Sequence, residues 1–372
     1  MSTNYAQSTG RRDFLRGAAV AGAATLAGKD IAKAAPTLDR KLRIGVMGVR
    51  RSFISYTWSD LMEPDKEHNN PKHVGFGTPL LNMDITHVWD ADPEDKQVQS
   101  FVKRLDATIV KKYDDMVGKV DGIVFGGFED VPWQPQLARP YIEAGIPTII
   151  SRPFAYSIRE IDELLDCAAK HNTPILATAK YEHYNQASSL KSKLENVGII
   201  NCVHATGNSR DYPKHWHIKF MILRILGYDV RHVSVLTDGI QRNTHLQETL
   251  LYNEGENQPP FPCAIQAAPN QDQFTVTIIG SKATVNASML RSPDWHDSYL
   301  FRYAPQVIEM QRTFYGNLFE PLDNIRKKTM ISLTGYYSYH ERGGAPVNVG
   351  SFPTDWQPPY PEPGWIDESI FT

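Results

Sequence analysis

The side chains best suited to move a proton gather in RDYPKHWHIKF, Arg210 to Phe220, which sets Asp211, Tyr212, Lys214, His215 and His217 just ahead of a helical stretch. His217 is the candidate general acid or base, because an imidazole changes charge near neutral pH. Tyr212 and Lys214 stand behind it as proton donors. The same stretch can be read for a metal: His215 and His217 point the same way if the chain there is extended, and His232 or Glu182 would complete the shell. The spacing matches no specific zinc pattern, so no residue is assigned as a metal ligand. Trp133, Trp216, Tyr181 and Tyr184 are of the type that stacks on sugar faces, or of the type that fills a core.

A second constellation lies in RIGVMGVRRSF, Arg43 to Phe53, an apolar strand entering a glycine. In a dinucleotide turn of form GxGxxG the first glycine makes the bend, the second admits the pyrophosphate and the third lets helix pack on strand. Gly48 supplies the first, while Arg50 and Phe53 occupy the other two positions. Arg50 and Arg51 either hold a phosphate from the side or plug the pocket. Asp90, at the end of the next strand, either accepts from an adenosine ribose or caps the helix after it.

These groups must be carried by elements, and the pattern supplies them. LRIGVMG, DITHVWDAD, VDGIVFGG and PTIIS read as strands; FVKRLDATI and PQLARPYIEAG read as helices between them, the rhythm of a parallel doubly wound sheet. Glu63 to Pro79 reads as an inserted polar loop over the carboxyl edge of that sheet. After SRPFAYS come the helix IREIDELLDCAAKHN and the strand PILATA. A second unit follows, with helices at ASSLKSKLENVG and IKFMILRILG and strands at IINCVHATG, VRHVSVLTD, CAIQAAP, QFTVTIIG and ATVNASML, a mostly antiparallel sheet backed by helices. The last helix spans LDNIRKKTMISLTGYYSYHERGG, and the proline-dense tail reads as an extended arm or subunit contact.

At 372 residues the chain is long enough for two cores. Its 39 basic and 42 acidic side chains nearly cancel, which excludes a nucleic-acid footprint and leaves a small-molecule partner. The three cysteines, Cys167, Cys202 and Cys263, contain no CxxC pair and read as buried free thiols. Arg11 and Arg12 precede Phe14, Leu15 and a mildly apolar alanine and glycine run, the form of a twin-arginine export leader over residues 1–35. That run is too short and weakly apolar to span a bilayer, so the mature protein is expected to begin near Ala35, in the periplasm or outside the cell, with no membrane span.

The dinucleotide-type first unit, EAGIPTIISRPFA at its end, the strand VHATGNS and a histidine opening a helix that ends at ILG together resemble the Gfo/Idh/MocA family of carbohydrate oxidoreductases over roughly residues 41 to 350. The resemblance implies a Rossmann-type parallel-sheet domain at 38–155 and an α+β substrate domain with an open, mostly antiparallel sheet at 156–350; the proline-rich arm at 351–372 lies beyond it. It implies NAD or NADP as hydride acceptor, a carbohydrate or cyclitol substrate, and a homo-oligomer formed through the second sheet. The family's Glu-Lys-Pro signature falls on Ser151, Arg152 and Pro153, so only the proline matches, and its histidine falls on His217. Arginine stays charged and is a poor acid or base, but it can orient an oxyanion or a sugar carboxylate. The carboxylates that accompany the family histidine are replaced by Pro213 and Phe220.

The expectation is an exported sugar or cyclitol oxidoreductase with an altered turn, catalytic His217 and Arg152 supported by Tyr212 and Lys214, and a cofactor lying against Gly48, Arg50, Arg51, Asp90 and Pro153. Two other classes stay open: a lyase, hydrolase or epimerase using His217, with or without a metal, and a sugar-binding protein without catalysis.

Overall fold

The computed structural model describes residues 41–50, 58–59, 83–126, 133–152, 154–208, 212–237, 245–268, 274–289 and 295–359, with only the backbone described at 208, 212–215, 268, 289 and 295–302. The expected export leader, the loop at 63–79, Arg51, Phe53 and Pro153 lie outside the described residues.

Six strands form the first sheet: β1 (Leu42–Met47), β2 (Met83–Trp89), β3 (Thr108–Ile109), β4 (Gly122–Phe125), β5 (Thr148–Ser151) and β6 (Ile175–Thr178). Their spatial order is β3-β2-β1-β4-β5-β6, every pair parallel. The order reverses between β1 and β4, and in such sheets ligands collect outside the carboxyl ends of the strands at that reversal. Because β6 completes this sheet, the boundary expected at residue 155 falls inside it.

The connecting helices are α1 (Lys96–Leu105), α2 (Gln134–Glu143) and α3 (Ile158–His171). The helix read at FVKRLDATI starts earlier and stops sooner than its pattern suggested. Asp95 accepts from the N–H of Gln97 at its start, Asp106 takes a left-handed conformation at its end, and Thr108–Ile109 is already β3. In α3 a capping box sets the start: the Ser157 hydroxyl takes the Glu160 N–H while the Glu160 carboxylate takes the N–H groups of Tyr156 and Ser157.

A short 3₁₀ turn (Lys180–His183) leads into α4 (Asn185–Val197), β7 (Ile200–Asn208) and α5 (Tyr212–Leu226). The helix α5 begins six residues before the expected IKFMILRILG, and Pro213 sits in its first turn, where a missing N–H is harmless. After it come β8 (Val230–Thr237), β9 (Leu246–Tyr252), β10 (Pro262–Ala268), β11 (Phe274–Gly280) and β12 (Thr284–Met289), then α6 (Trp295–Phe314), α7 (Leu322–Arg342) and β13 (Val347–Asn348). The second sheet runs β12-β11-β7-β10-β9-β8-β13 and is antiparallel except where β7 meets β10.

One core fills the face of the first sheet with Leu42, Ile44, Val46 and Ile85, closed by Phe101 of α1 and by Val307, Met310 and Phe314 of α6. A Cβ on Gly122 would sit 2.3 Å from the Phe314 ring, so this helix, late in the chain, lies directly on the first sheet. The other core runs from Ile123 and Phe125 through α2 and α3 to α5, α7 and the second sheet. Inside it Lys219 of α5 and Glu248 of β9 form a fully buried ion pair at 2.7 Å, which fixes the helix on the sheet. The described part of the tail is no free arm: Phe352 stacks on Tyr337 at 5.0 Å, the Trp356 indole donates to Glu341, and the N–H of Arg159 donates to Thr354.

Candidate active site

The first glycine turn folds around a carboxylate of its own. Gly48 adopts φ 76° and donates its N–H to Trp89 at 3.0 Å, a backbone conformation that favours glycine. The bend brings Val49 and Arg50 to Asp90, which is 3% exposed. One Asp90 oxygen accepts the N–H groups of Val49 and Arg50 at 2.8 and 3.2 Å; the other accepts the Arg50 guanidinium and the Asp92 N–H, both at 3.0 Å. An ionised carboxylate offers about four lone-pair positions, and all are answered. Asp90 is therefore neither an open acceptor for a ribose nor the cap of α1, a role that Asp95 fills. Arg50 is drawn sideways, its guanidinium shared between Asp90 and Asp92 at 3.0 and 3.2 Å, rather than extended as a phosphate clamp.

The second group of residues converges on the carboxyl end of β6. Arg152 follows β5, is 2% exposed, donates its N–H to the Thr178 carbonyl at 3.2 Å and its guanidinium to Ser151 at 3.0 Å. Two residues beyond Thr178, the N–H of Lys180 donates to Nδ1 of His217 at 3.2 Å. Arg152 and His217 are thus both tied to the segment at the end of β6. A backbone N–H can only donate, so Nδ1 is the bare nitrogen and the neutral ring carries its proton on Nε2. In that state the 6% exposed imidazole is a hydrogen-bond donor through Nε2, not a proton acceptor there. Its ring lies 5.3 Å from Tyr181, and the Lys180 ammonium lies over Tyr181 and Tyr303 at 5.0 and 5.7 Å.

Lys180 was missed in the sequence, although ATAKYEH sets a lysine just past a strand as SRPF sets Arg152. Tyr212 and Lys214 fall in the first turn of α5, and their side chains lie outside the described residues. The same helix removes the extended geometry that a His215 and His217 metal pair would need, since positions two apart on a helix do not share a face. Among the described residues no group of three or more His, Cys, Asp or Glu side chains is arranged to hold a metal ion. Trp216, Tyr181 and Tyr184 are buried core, with Tyr181 and Tyr184 packed on Phe274, so they are not open stacking platforms; Trp133 is half-buried at the start of α2. The cysteines are free, with Cys167 and Cys263 buried.

Beneath the β6 end lies a buried polar network that no motif announced. Thr178 meets Nε2 of His183 at 2.6 Å and accepts from Gln306 at 2.9 Å, while Nδ1 of His183 lies 3.0 Å from Glu309, which Arg224 grips at 2.7 and 3.3 Å. On the other side Lys328 sits 2.6 Å from Glu320 and 3.5 Å from Glu182. Burial alone would push the His183 pKa down, but the flanking carboxylates reverse that and hold it above the usual histidine value. Glu309, against burial, is held down to about 2 by His183 and Arg224.

No protein-family model matches the chain, and no curated protein sequence matches it. Solved structures do. A probable dehydrogenase from Thermotoga maritima superposes with a TM-score of 0.66 at 12% identity, covering 83% of this chain and 99% of that one. A myo-inositol dehydrogenase from Lactobacillus casei, in complex with NAD(H) and myo-inositol, gives 0.66 at 12% identity, with 84% and 98% covered. An oxidoreductase from Agrobacterium radiobacter, in complex with NAD+, L-tartaric acid and magnesium, gives 0.64 at 13% identity, with 83% and 99% covered. At such identities the likeness establishes the fold: a parallel six-stranded sheet with helices, joined to a second, mostly antiparallel sheet, as in these dehydrogenase structures.

Proposed function

We propose that the chain is an oxidoreductase of a polyhydroxylated ring, a sugar or cyclitol, working with NAD or NADP at the carboxyl edge of the parallel sheet. The observation that carries this reading is the tethering of Arg152 and His217 to one strand end, Arg152 by its N–H on Thr178 and His217 by the N–H of Lys180, in a fold whose solved examples hold NAD beside inositol or tartaric acid. The bend at Gly48 fits a dinucleotide passing over it, while a ribose would reach Asp90 only by displacing the Arg50 guanidinium. A bound nicotinamide supplies the hydride acceptor or donor. Arg152, permanently charged, orients a substrate oxygen. His217 donates a hydrogen bond from Nε2 to that oxygen as it gains negative charge, which polarises a carbonyl or steadies an alkoxide, while the proton that the oxygen loses or gains passes to or from solvent water.

The test is dinucleotide binding by calorimetry together with turnover on inositols and sugars. NAD or NADP binds, and His217→Ala lowers kcat by about 10²-fold or more while leaving dinucleotide affinity in place. Absence of dinucleotide binding, with and without sugar present, overturns the proposal. The four donors on Asp90 favour a second reading, since a turn that satisfies itself needs no cofactor: a sugar-specific protein without dinucleotide. Sugar binding that survives His217→Ala, with no nucleotide bound, selects that reading, and nucleotide-free turnover selects a lyase or epimerase.

Export by the twin-arginine leader belongs to the same proposal, tested by finding a mature N-terminus near Ala35 in the periplasmic fraction. Among the described residues no helix is long and apolar enough to cross a membrane. Self-association through the open face of the second sheet, where His204, Thr206 and Thr275 lie away from the helices, is tested by light scattering of the wild type against Thr206→Arg.

A further inference from the structure

The outer edge of β6 borders a cavity of about 610 Å³, within the size range of small-molecule sites. Its walls are Ala177 of β6, Ser188 and Lys191 of α4, Arg224 near the end of α5, and Arg312 and Phe319 around the α6 to α7 junction. Neither Arg152 nor His217 lines it, and Arg224 stands two turns along α5 from His217, so the cavity lies beside the candidate active site, across the Glu182, His183 and Glu309 network. The edge of β6 that faces it is already closed, because the Ala177 N–H donates to Glu320 at 3.0 Å. No strand is needed there, and the space is left for a ligand.

The fixed charges around the cavity decide which ligand. Glu182, Glu309 and Glu320 are answered by His183, Arg224 and Lys328 through contacts of 2.6 to 3.5 Å. Lys191 and Arg312, both exposed at the rim, have no carboxylate within ion-pair distance among the described residues. Whether His183 is charged or neutral, positive charge is in excess at the mouth. Beside these cations Phe319 is 58% exposed, a flat apolar face of the kind that receives the C–H face of a pyranose, and Ser188, Ser192 and Asn324 offer hydroxyl and amide partners. An aromatic face, neutral hydrogen-bonding groups and two unanswered cations together describe the recognition of a ring that carries both hydroxyls and a carboxylate.

We infer that this cavity is a second ligand site for an acidic sugar, its carboxylate between Lys191 and Arg312 and its ring against Phe319. The inference does not rest on the dinucleotide reading. It is tested on the full mature chain by calorimetry and ligand-observed NMR with D-glucuronate and, as the uncharged counterpart, D-glucose. Glucuronate binds and glucose binds at least tenfold more weakly. The pair Lys191→Gln and Arg312→Gln, both exposed and remote from the core, lowers glucuronate affinity tenfold or more, Phe319→Ala lowers it less, and His217→Ala leaves it unchanged. No binding of glucuronate, glucuronate affinity unchanged in the double variant, or in His217→Ala glucose binding as tightly as glucuronate would each overturn the assignment.

Discussion

Two buried polar clusters solve opposite problems. At the Gly48 turn, one carboxylate at the end of β2 answers four donors, three of them from the turn after the neighbouring strand β1, and only two strand ends are involved. At the end of β6, carboxylates and cations from five elements, β6 with its 3₁₀ turn, α5, α6, α7 and the loop between the last two, answer one another across the junction of the two sheets. The first cluster shapes a loop. The second joins layers, and it places the strand end on which Arg152 and His217 meet. Buried ion pairs add little stability over well-packed apolar side chains, but removing one partner strands the other in a low-dielectric interior.

The sharpest way to break the comparison is Lys328→Met, which leaves Glu182 and Glu320 facing each other without their shared cation. A loss of about 3–5 kcal/mol in urea denaturation is expected. A loss below about 1 kcal/mol would mean that the junction does not depend on this network. Asp90→Asn should cost less, about 1–3 kcal/mol, because the amide oxygen still accepts while the charge opposite Arg50 is gone. If Asp90 serves a ribose first and the turn second, the outcome inverts: dinucleotide affinity drops and stability hardly moves.

The smallest effect is the pH profile of the junction. His183 has its pKa raised above 6.5, so its contribution is complete below that value and is lost as pH rises through the folded-state pKa. Glu309 is lowered from 4.5 to about 2, so its contribution is complete above 4.5 and is lost as pH falls toward 2. Both act together between about pH 4.5 and 6.5, where the urea midpoint should peak. His183→Gln should flatten the alkaline limb and also shrink the acid limb to the part that Arg224 sustains, because His183 is the first of the groups holding Glu309 down. An unchanged alkaline limb would remove His183 from the account.

How far the sequence could be read follows from the range of the forces involved. The alternation of apolar strands and helices marked the first sheet, and the helical spacing of apolar residues in IREIDELLDCAAKHN marked α3, because these signals act within a few residues. The strand β9 escaped notice because LQETLLY mixes polar and apolar residues, and its Glu248 is buried only by its pairing with Lys219 of α5. The helix α6 escaped because Pro305 reads as a breaker, yet the helix continues through it while packing on the first sheet. The glycine turn and the strand after it pointed to Gly48 and Asp90, and the family resemblance pointed to Arg152 and His217, but neither told what each would touch. Asp90 turned inward to its own loop, and the Nε2 proton of His217 was set by a backbone N–H from Lys180, a residue outside every motif considered.

By itself, then, the sequence determined the local grammar of this protein: the strand-to-glycine bend at Gly48, the parallel repeat and the candidate residues at strand ends. Periodicity and turn chemistry are short-range and survive without knowledge of the partners. Tertiary structure alone decided that Arg152 and His217 share the end of β6, that Asp90 is saturated, and that Glu182, Glu309 and Lys328 form one junction. Those outcomes depend on contacts between residues as much as 151 positions apart, such as that between Ala177 and Lys328, and the donors and acceptors that meet there are chosen by the packing of whole elements.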